Sequence, residues 1–161
     1  MAKQKALPEP SKYLVHDADV CTGCGICEIT CSMAHDGVFS RELARLKLHR
    51  NYYRGHWDGS GAYDMDFCRQ CPWPACLYAC PVGAITIDKE TKARVIDQEV
   101  CIGCRRCEEA RPYDMIVYIP ERNVCGKCDL CGGAPECVKA CPASGVGALR
   151  YIERPKRRRP S

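Results

Sequence analysis

Residues 21–31 read Cys21-Thr-Gly-Cys24-Gly-Ile-Cys27-Glu-Ile-Thr-Cys31: three cysteines two residues apart, then a fourth three residues on. Working outward, variants of this block recur along the chain. Block two is Cys68-Arg-Gln-Cys71-Pro-Trp-Pro-Ala-Cys76-Leu-Tyr-Ala-Cys80-Pro81. Block three, Cys101-Ile-Gly-Cys104-Arg-Arg-Cys107-Glu-Glu-Ala-Arg111-Pro112, keeps the closing proline and has arginine where the last cysteine belongs. Block four is Cys125-Gly-Lys-Cys128-Asp-Leu-Cys131-Gly-Gly-Ala-Pro-Glu-Cys137-Val-Lys-Ala-Cys141-Pro142.

These blocks hold all sixteen cysteines of the 161-residue chain. Disulfides, zinc sites and iron–sulfur clusters are the architectures that use so many. Disulfides need an oxidising compartment, and the opening MAKQKALPEPSKY has neither the apolar core nor the cleavage site of an export signal. No run approaches the roughly 18 apolar residues of a membrane span. The expectation is a reducing cytoplasm and no membrane insertion. Zinc ribbons set two C-x2-C pairs roughly 12–20 residues apart, and knuckles add histidine at fixed offsets. Here the third and fourth cysteines follow at once. His16, His35, His49 and His56 keep no ligand spacing and read as surface or hydrogen-bonding residues. The spacing C-x2-C-x2-C-x3-C instead suits [4Fe–4S] clusters, in which three thiolates of a block hold one cluster and the fourth ligates another. Blocks therefore work in pairs. The fourth cysteine is expected to begin a short helix, and Gly23, Gly25 and Gly103 to let backbone N–H groups approach sulfur.

With two Phe, two Trp, 13 Gly and 11 Pro, burial alone offsets ordering entropy poorly. Metal binding is then folding energy, and the metal-free chain is expected to be largely unfolded. The net charge is +4, with a basic tail over 154–161 read as solvated. A zinc-rich nucleic-acid module would interleave basic and aromatic residues on one face. These basic residues are scattered, so no nucleic-acid partner is expected. Nor is there a nucleotide loop, a Ser/His/Asp set or a pocket of paired carboxylates, so the chain is not read as an enzyme by itself.

The predicted fold class is α+β: strand, cluster loop, short helix and strand, repeated. Strands are expected over 12–18, 45–53, 84–88, 93–97, 115–120 and 148–153, with 84–97 a hairpin. Helical turns are expected over 27–35 and 75–80. Residues 54–66, rich in Gly and Asp, read as a solvent-covered connector, with Trp57 and Tyr63 the side chains that would meet a partner.

The segments CTGCGICEITCSMAHDGVFS, FCRQCPWPACLYACPVGAI, CIGCRRCEEA and KCDLCGGAPECVKACP resemble the four-cluster ferredoxin subunits of molybdo- and tungstopterin oxidoreductases, formate dehydrogenases and hydrogenases. Within that family the compact chain looks most like the small iron–sulfur subunit of tungsten aldehyde-oxidoreductase-type and class II benzoyl-coenzyme A reductase enzymes. The resemblance implies one polyferredoxin unit over 1–161 with two ferredoxin-like lobes. Lobe A takes 12–53 plus 125–153 and lobe B takes 64–124, so that block one pairs with four and two with three. It implies one cluster on Cys21, Cys24, Cys27 and Cys141, a second on Cys128, Cys131, Cys137 and Cys31, and a third on Cys101, Cys104, Cys107 and Cys80. Cys68, Cys71 and Cys76 form a fourth site whose remaining ligand position holds Arg111. Guanidinium has no acceptor lone pair for iron. That site is left empty, filled by a three-iron cluster, or completed by the surplus Cys125. The implied function is electron transfer, in the cytoplasm of an anaerobic metabolism. The implied partner is a large catalytic subunit carrying a tungsten or molybdenum pterin, with further electron-transfer subunits beyond it. A free-standing polyferredoxin is the alternative.

Overall fold

In the computed structural model, residues 6–51, 61–110, 115–143 and 147–155 are described. Arg111, Trp57, His56 and the tail beyond Pro155 lie outside them. Among the described residues eight short strands form four separate antiparallel pairs. β1 (Lys12–His16) pairs with β8 (Leu149–Glu153), bringing segments from both ends of the chain together. β2 (Leu46–Arg50) pairs with β3 (Tyr63–Phe67), β4 (Ile85–Ile87) with β5 (Arg94–Ile96), and β6 (Ile116–Ile119) with β7 (Val124–Lys127). This is the α+β arrangement expected from the spacing of blocks and apolar runs.

Four helices complete it: α1 (Ile26–Asp36), α2 (Ala75–Tyr78), α3 (Arg106–Glu109) and α4 (Glu136–Ala143). Each begins one residue before the third cysteine of the cluster-binding run, at Cys27, Cys76, Cys107 and Cys137. The expected helix start at the fourth cysteine is thus too late. The turn that wraps the first cysteines already ends in a left-handed residue, Gly25 or Arg105, from which the helix runs. Gly37 ends α1 in the left-handed region, its N–H donating to the Met33 carbonyl at 3.1 Å. On α1, Cys27, Glu28, Cys31 and Ser32 are buried, a spacing that puts them on one face. That face packs on α4, while α2 packs on α3.

Tyr63 is not the loop side chain expected of 54–66. It opens β3, and its ring lies so close to Gly23 that a β-carbon there would stand 2.2 Å from it. Only glycine fits that turn. The start of the basic tail is also held. Arg154 donates its N–H to the Ser11 carbonyl at 2.6 Å and pairs with Glu9 at 3.2 Å.

Candidate metal centres

The sixteen cysteines, all described, form no disulfide. Cys21, Cys24, Cys27 and Cys141 line one cavity, walled by Leu48, Met65, Ala148 and Leu149. Cys31, Cys131 and Cys137 lie within electrostatic reach of one another, and Cys128 is next to Cys137. Cys80, Cys101, Cys104 and Cys107 line a second cavity, and Cys125 lines it too. The Cys125 N–H donates to Cys101 Sγ at 3.4 Å, and its thiol meets Cys107. Cys125, the surplus thiol of block four, thus stands beside the block-three sulfurs. Cys68 and Cys76 are buried and Cys71 is partly exposed on the turn and helix of block two.

The groups follow one another. Cys137 feels the charge of Cys27, in a core shared with Cys31 and Cys141. Cys128 lies against Cys68, in a core with Leu14, Ala93 and Leu130. Cys76 shares a third core with Cys107 and Cys125. At the two ends of this succession, Cys24 and Cys104 are exposed.

Main-chain N–H groups point at the sulfurs. Arg45 donates to Cys31 Sγ, Ala84 to Cys80 Sγ and Leu149 to Cys141 Sγ, each at 3.3 Å. Burial pushes the Cys27 thiol up to about 12, and Glu28 beside it adds to the shift. Burial and Cys125 push Cys107 up to about 12. Burial raises Cys128 and Cys137 as well. Crowded, buried sulfurs that resist ionising alone are what a metal centre stabilises as thiolates.

One histidine belongs to this machinery. His35 Nδ1 faces the Cys31 carbonyl at 2.8 Å and Nε2 faces Asp129 Oδ1 at 3.1 Å, both acceptors. Asp129, Cys131 and Cys31 raise its pKa to about 12, which favours the charged ring. Asp129 also accepts the Cys131 N–H at 2.9 Å. Burial opposes ionisation of that carboxyl, yet His35 and this N–H hold it below the ordinary carboxylate range. Spacing along the chain gives no sign of a contact between residues 94 positions apart.

Buried polar atoms left over test the fit of a cluster. Among the described residues, His16 Nε2 and Arg94 Nε and Nη2 are buried without a hydrogen-bond partner. His16 lines the cavity of Cys21, Cys24, Cys27 and Cys141. Arg94 lies within reach of the Cys68 and Cys71 charges. A buried charged group with donors left unpaired costs on the order of several kcal/mol. Converging thiols beside unspent donors suit an anionic iron–sulfur group.

Repeated groups of converging thiols at the ferredoxin spacing are what an iron–sulfur protein presents. The sequence profile described as "4Fe-4S dicluster domain" matches residues 60–149, and "4Fe-4S binding domain" matches 18–34. The chain belongs to the 4Fe–4S dicluster family. It is 35% identical over 140 residues to the polyferredoxin-like subunit of an aliphatic sulfonate oxidoreductase of Pyrococcus furiosus, covering 87% of this chain and 77% of that one. It is 34% identical over 142 residues to the B subunit of the anaerobic dimethyl sulfoxide reductase of Haemophilus influenzae, covering 78% and 67%. Among solved structures it resembles the BamBC active-site complex of benzoyl-coenzyme A reductase, with 26% identity, TM-score 0.45, and coverage of 89% and 80%. The chain is an iron–sulfur electron-transfer protein of the kind found as subunits of oxidoreductases. Among its described residues no helix is long and apolar enough to cross a membrane.

Proposed function

We propose that this chain relays single electrons along a line of [4Fe–4S] clusters to or from a catalytic oxidoreductase subunit that carries a tungsten or molybdenum pterin. The observation that carries the reading is that sulfurs of different blocks meet: Cys137 with Cys27 and Cys31, Cys128 with Cys68, and Cys76 with Cys107 and Cys125. Three complete ligand sets are assigned: Cys21, Cys24, Cys27 and Cys141; Cys128, Cys131, Cys137 and Cys31; Cys101, Cys104, Cys107 and Cys80. The clusters supply the one-electron chemistry when bound, over a family range of roughly −700 to +450 mV.

The chain's own residues hold, shield and bias them. Buried Leu46, Leu149, Leu14, Leu130, Ile85 and Ile116 keep water from the sulfurs. The N–H groups of Arg45, Ala84, Leu149 and Cys125 donate to them, and His35 places a positive charge between Cys31 and Asp129. At the cavity of exposed Cys104 stand exposed Val82 and Ile102, an apolar rim suited to a partner's surface. Such thiols need a reducing compartment, the cytoplasm.

We divide the chain into two lobes, 12–53 with 125–153 and 64–124; the pairing of β1 with β8 and the packing of α1 on α4 and α2 on α3 support that division. The β2–β3 and β6–β7 pairs stitch one range to the other. Iron per chain on protein purified without oxygen tests the reading. Three complete sites account for about 12 iron atoms and a filled fourth site for about three or four more, with broad absorption near about 400 nm. Bound zinc with negligible iron would sink it.

A further inference from the structure

Arg94 opens β5 and is only 1% exposed. Its N–H donates to Gln70 Oε1 at 2.7 Å, and Gln70 lies in the turn between Cys68 and Cys71. Gln70 Nε2 in turn donates to the Cys128 carbonyl at 2.8 Å. Next to Arg94, Ala93 packs in one buried cluster with Cys68 and Cys128. The strand is thus strapped to the block-two turn. Of the guanidinium, Nη1 donates to the Lys92 carbonyl at 3.0 Å, while Nε and Nη2 have no partner among the described residues. Of the charges that favour its ionised form, Glu9 is paired with Arg154 at 3.2 Å, and the Cys68 and Cys71 sulfurs are the others. Lys127, a second buried cation, donates to the Arg94 and Cys128 carbonyls.

We infer that Arg94 is the buried counter-cation and hydrogen-bond donor of an iron–sulfur centre held by Cys68, Cys71 and Cys76, and that it raises the potential of that centre. The inference rests on the iron–sulfur relay proposed above and makes no use of residue 111. Guanidinium stays charged and presents donors in a fixed fork, which suits a sulfur-rich anion that needs N–H groups. When the centre takes one electron from a neighbouring centre, its negative charge grows by one. A fixed positive charge and unspent N–H donors favour that reduced form. The position matters because Cys68 adjoins Cys128 and Cys76 adjoins Cys107, so this centre stands between two of the complete ligand sets.

The test is a potentiometric titration followed by electron paramagnetic resonance on the full chain, loaded with iron and kept anaerobic. Wild type, Cys71→Ala, Arg94→Met and Arg94→Lys are compared, with iron counted in each. The wild type is expected to hold about 15 or 16 iron atoms, with one signal that vanishes in Cys71→Ala. That signal, in Arg94→Met, is expected to show a reduction equilibrium constant at least tenfold lower, about 59 mV for a one-electron couple. The other signals stay within about twofold, and Arg94→Lys lies between. Should Arg94→Met take up no iron, Arg94→Lys must keep the centre and Arg94→Gln must lose or lower it; equal behaviour of those two overturns the assignment. So does a signal that stays in place in Arg94→Met, or all signals moving together. About 12 iron atoms with no Cys71-dependent signal overturns the inference and leaves the three-cluster relay standing. Zinc in place of iron overturns the relay itself.

Discussion

Gly103 lies in the turn between Cys101 and Cys104 with φ +67, and a β-carbon there would stand 2.3 Å from the Asn123 carbonyl oxygen and 2.4 Å from Asn123 Oδ1. Asn123 has little room to yield. It is itself left-handed, its N–H donates to the Pro120 carbonyl at 3.1 Å, and Oδ1 accepts from Tyr118 at 2.8 Å. Gly83 is the matched control: φ is +66, yet its β-carbon would meet nothing within 4 Å. Alanine at Gly83 costs only the left-handed backbone penalty, about 1–2 kcal/mol. Alanine at Gly103 adds overpacking of about 1–3 kcal/mol. Converted at tenfold per 1.4 kcal/mol, Gly103→Ala should lose its clusters about 5- to 150-fold faster than Gly83→Ala. The assay is the half-life of visible absorbance in the presence of an iron chelator, without oxygen, on protein matched for starting iron. Half-lives within about twofold of each other would refute the steric reasoning and leave backbone conformation as the whole cost.

Three further outcomes are expected. Cys125→Ala should keep the iron of the wild type, because Cys80, Cys101, Cys104 and Cys107 line the same cavity; loss of about four iron atoms would make Cys125 a ligand. Glu28 is 2% exposed, takes the Leu48 N–H at 3.0 Å on one oxygen and Arg41 Nε at 2.7 Å on the other. Glu28→Ala strands a buried N–H and should cost about 1–3 kcal/mol, whereas Glu28→Gln keeps an acceptor and should cost under about 1, read as the shift in thermal bleaching midpoint. Removing iron with a chelator should abolish most far-ultraviolet circular dichroism, since each buried core is built around cysteines; a spectrum unchanged by chelation would show that burial alone holds the fold.

Much of this architecture is legible in the chain because cysteine spacing and strand alternation are local. The Ala84–Asp97 hairpin follows from the β-branched runs Ile-Thr-Ile and Val-Ile around an Asp-Lys-Glu-Thr-Lys turn, and the structure closes it with Asp88 Oδ1 accepting the Thr91 N–H at 2.7 Å. β3 is hidden although Tyr63-Asp-Met-Asp-Phe67 alternates, because the Gly- and Asp-rich residues before it read as a loop. β7, Val-Cys-Gly-Lys, has no strand-like composition, and its pairing with β6 makes it a strand. His35 and Arg94 look like an ordinary helix histidine and an ordinary hairpin arginine. Only the folded chain sets one against Asp129 and leaves the other's donors unspent beside Cys68 and Cys71.

The joining of β1 to β8, and of Cys141 to the cavity of Cys21, Cys24 and Cys27, imposes an order on biogenesis. On a ribosome, block one emerges about 120 residues ahead of Cys141, so its pocket stays open until nearly all of the cysteine-bearing chain has been made. The cavity of Cys80, Cys101, Cys104 and Cys107 spans fewer than about 30 residues and is complete far earlier. Throughout that interval Cys21, Cys24 and Cys27 face the cell as an unfinished three-thiol trap, open to copper, zinc or oxygen. Translation speed between block one and Cys141 therefore sets how long the first centre is vulnerable.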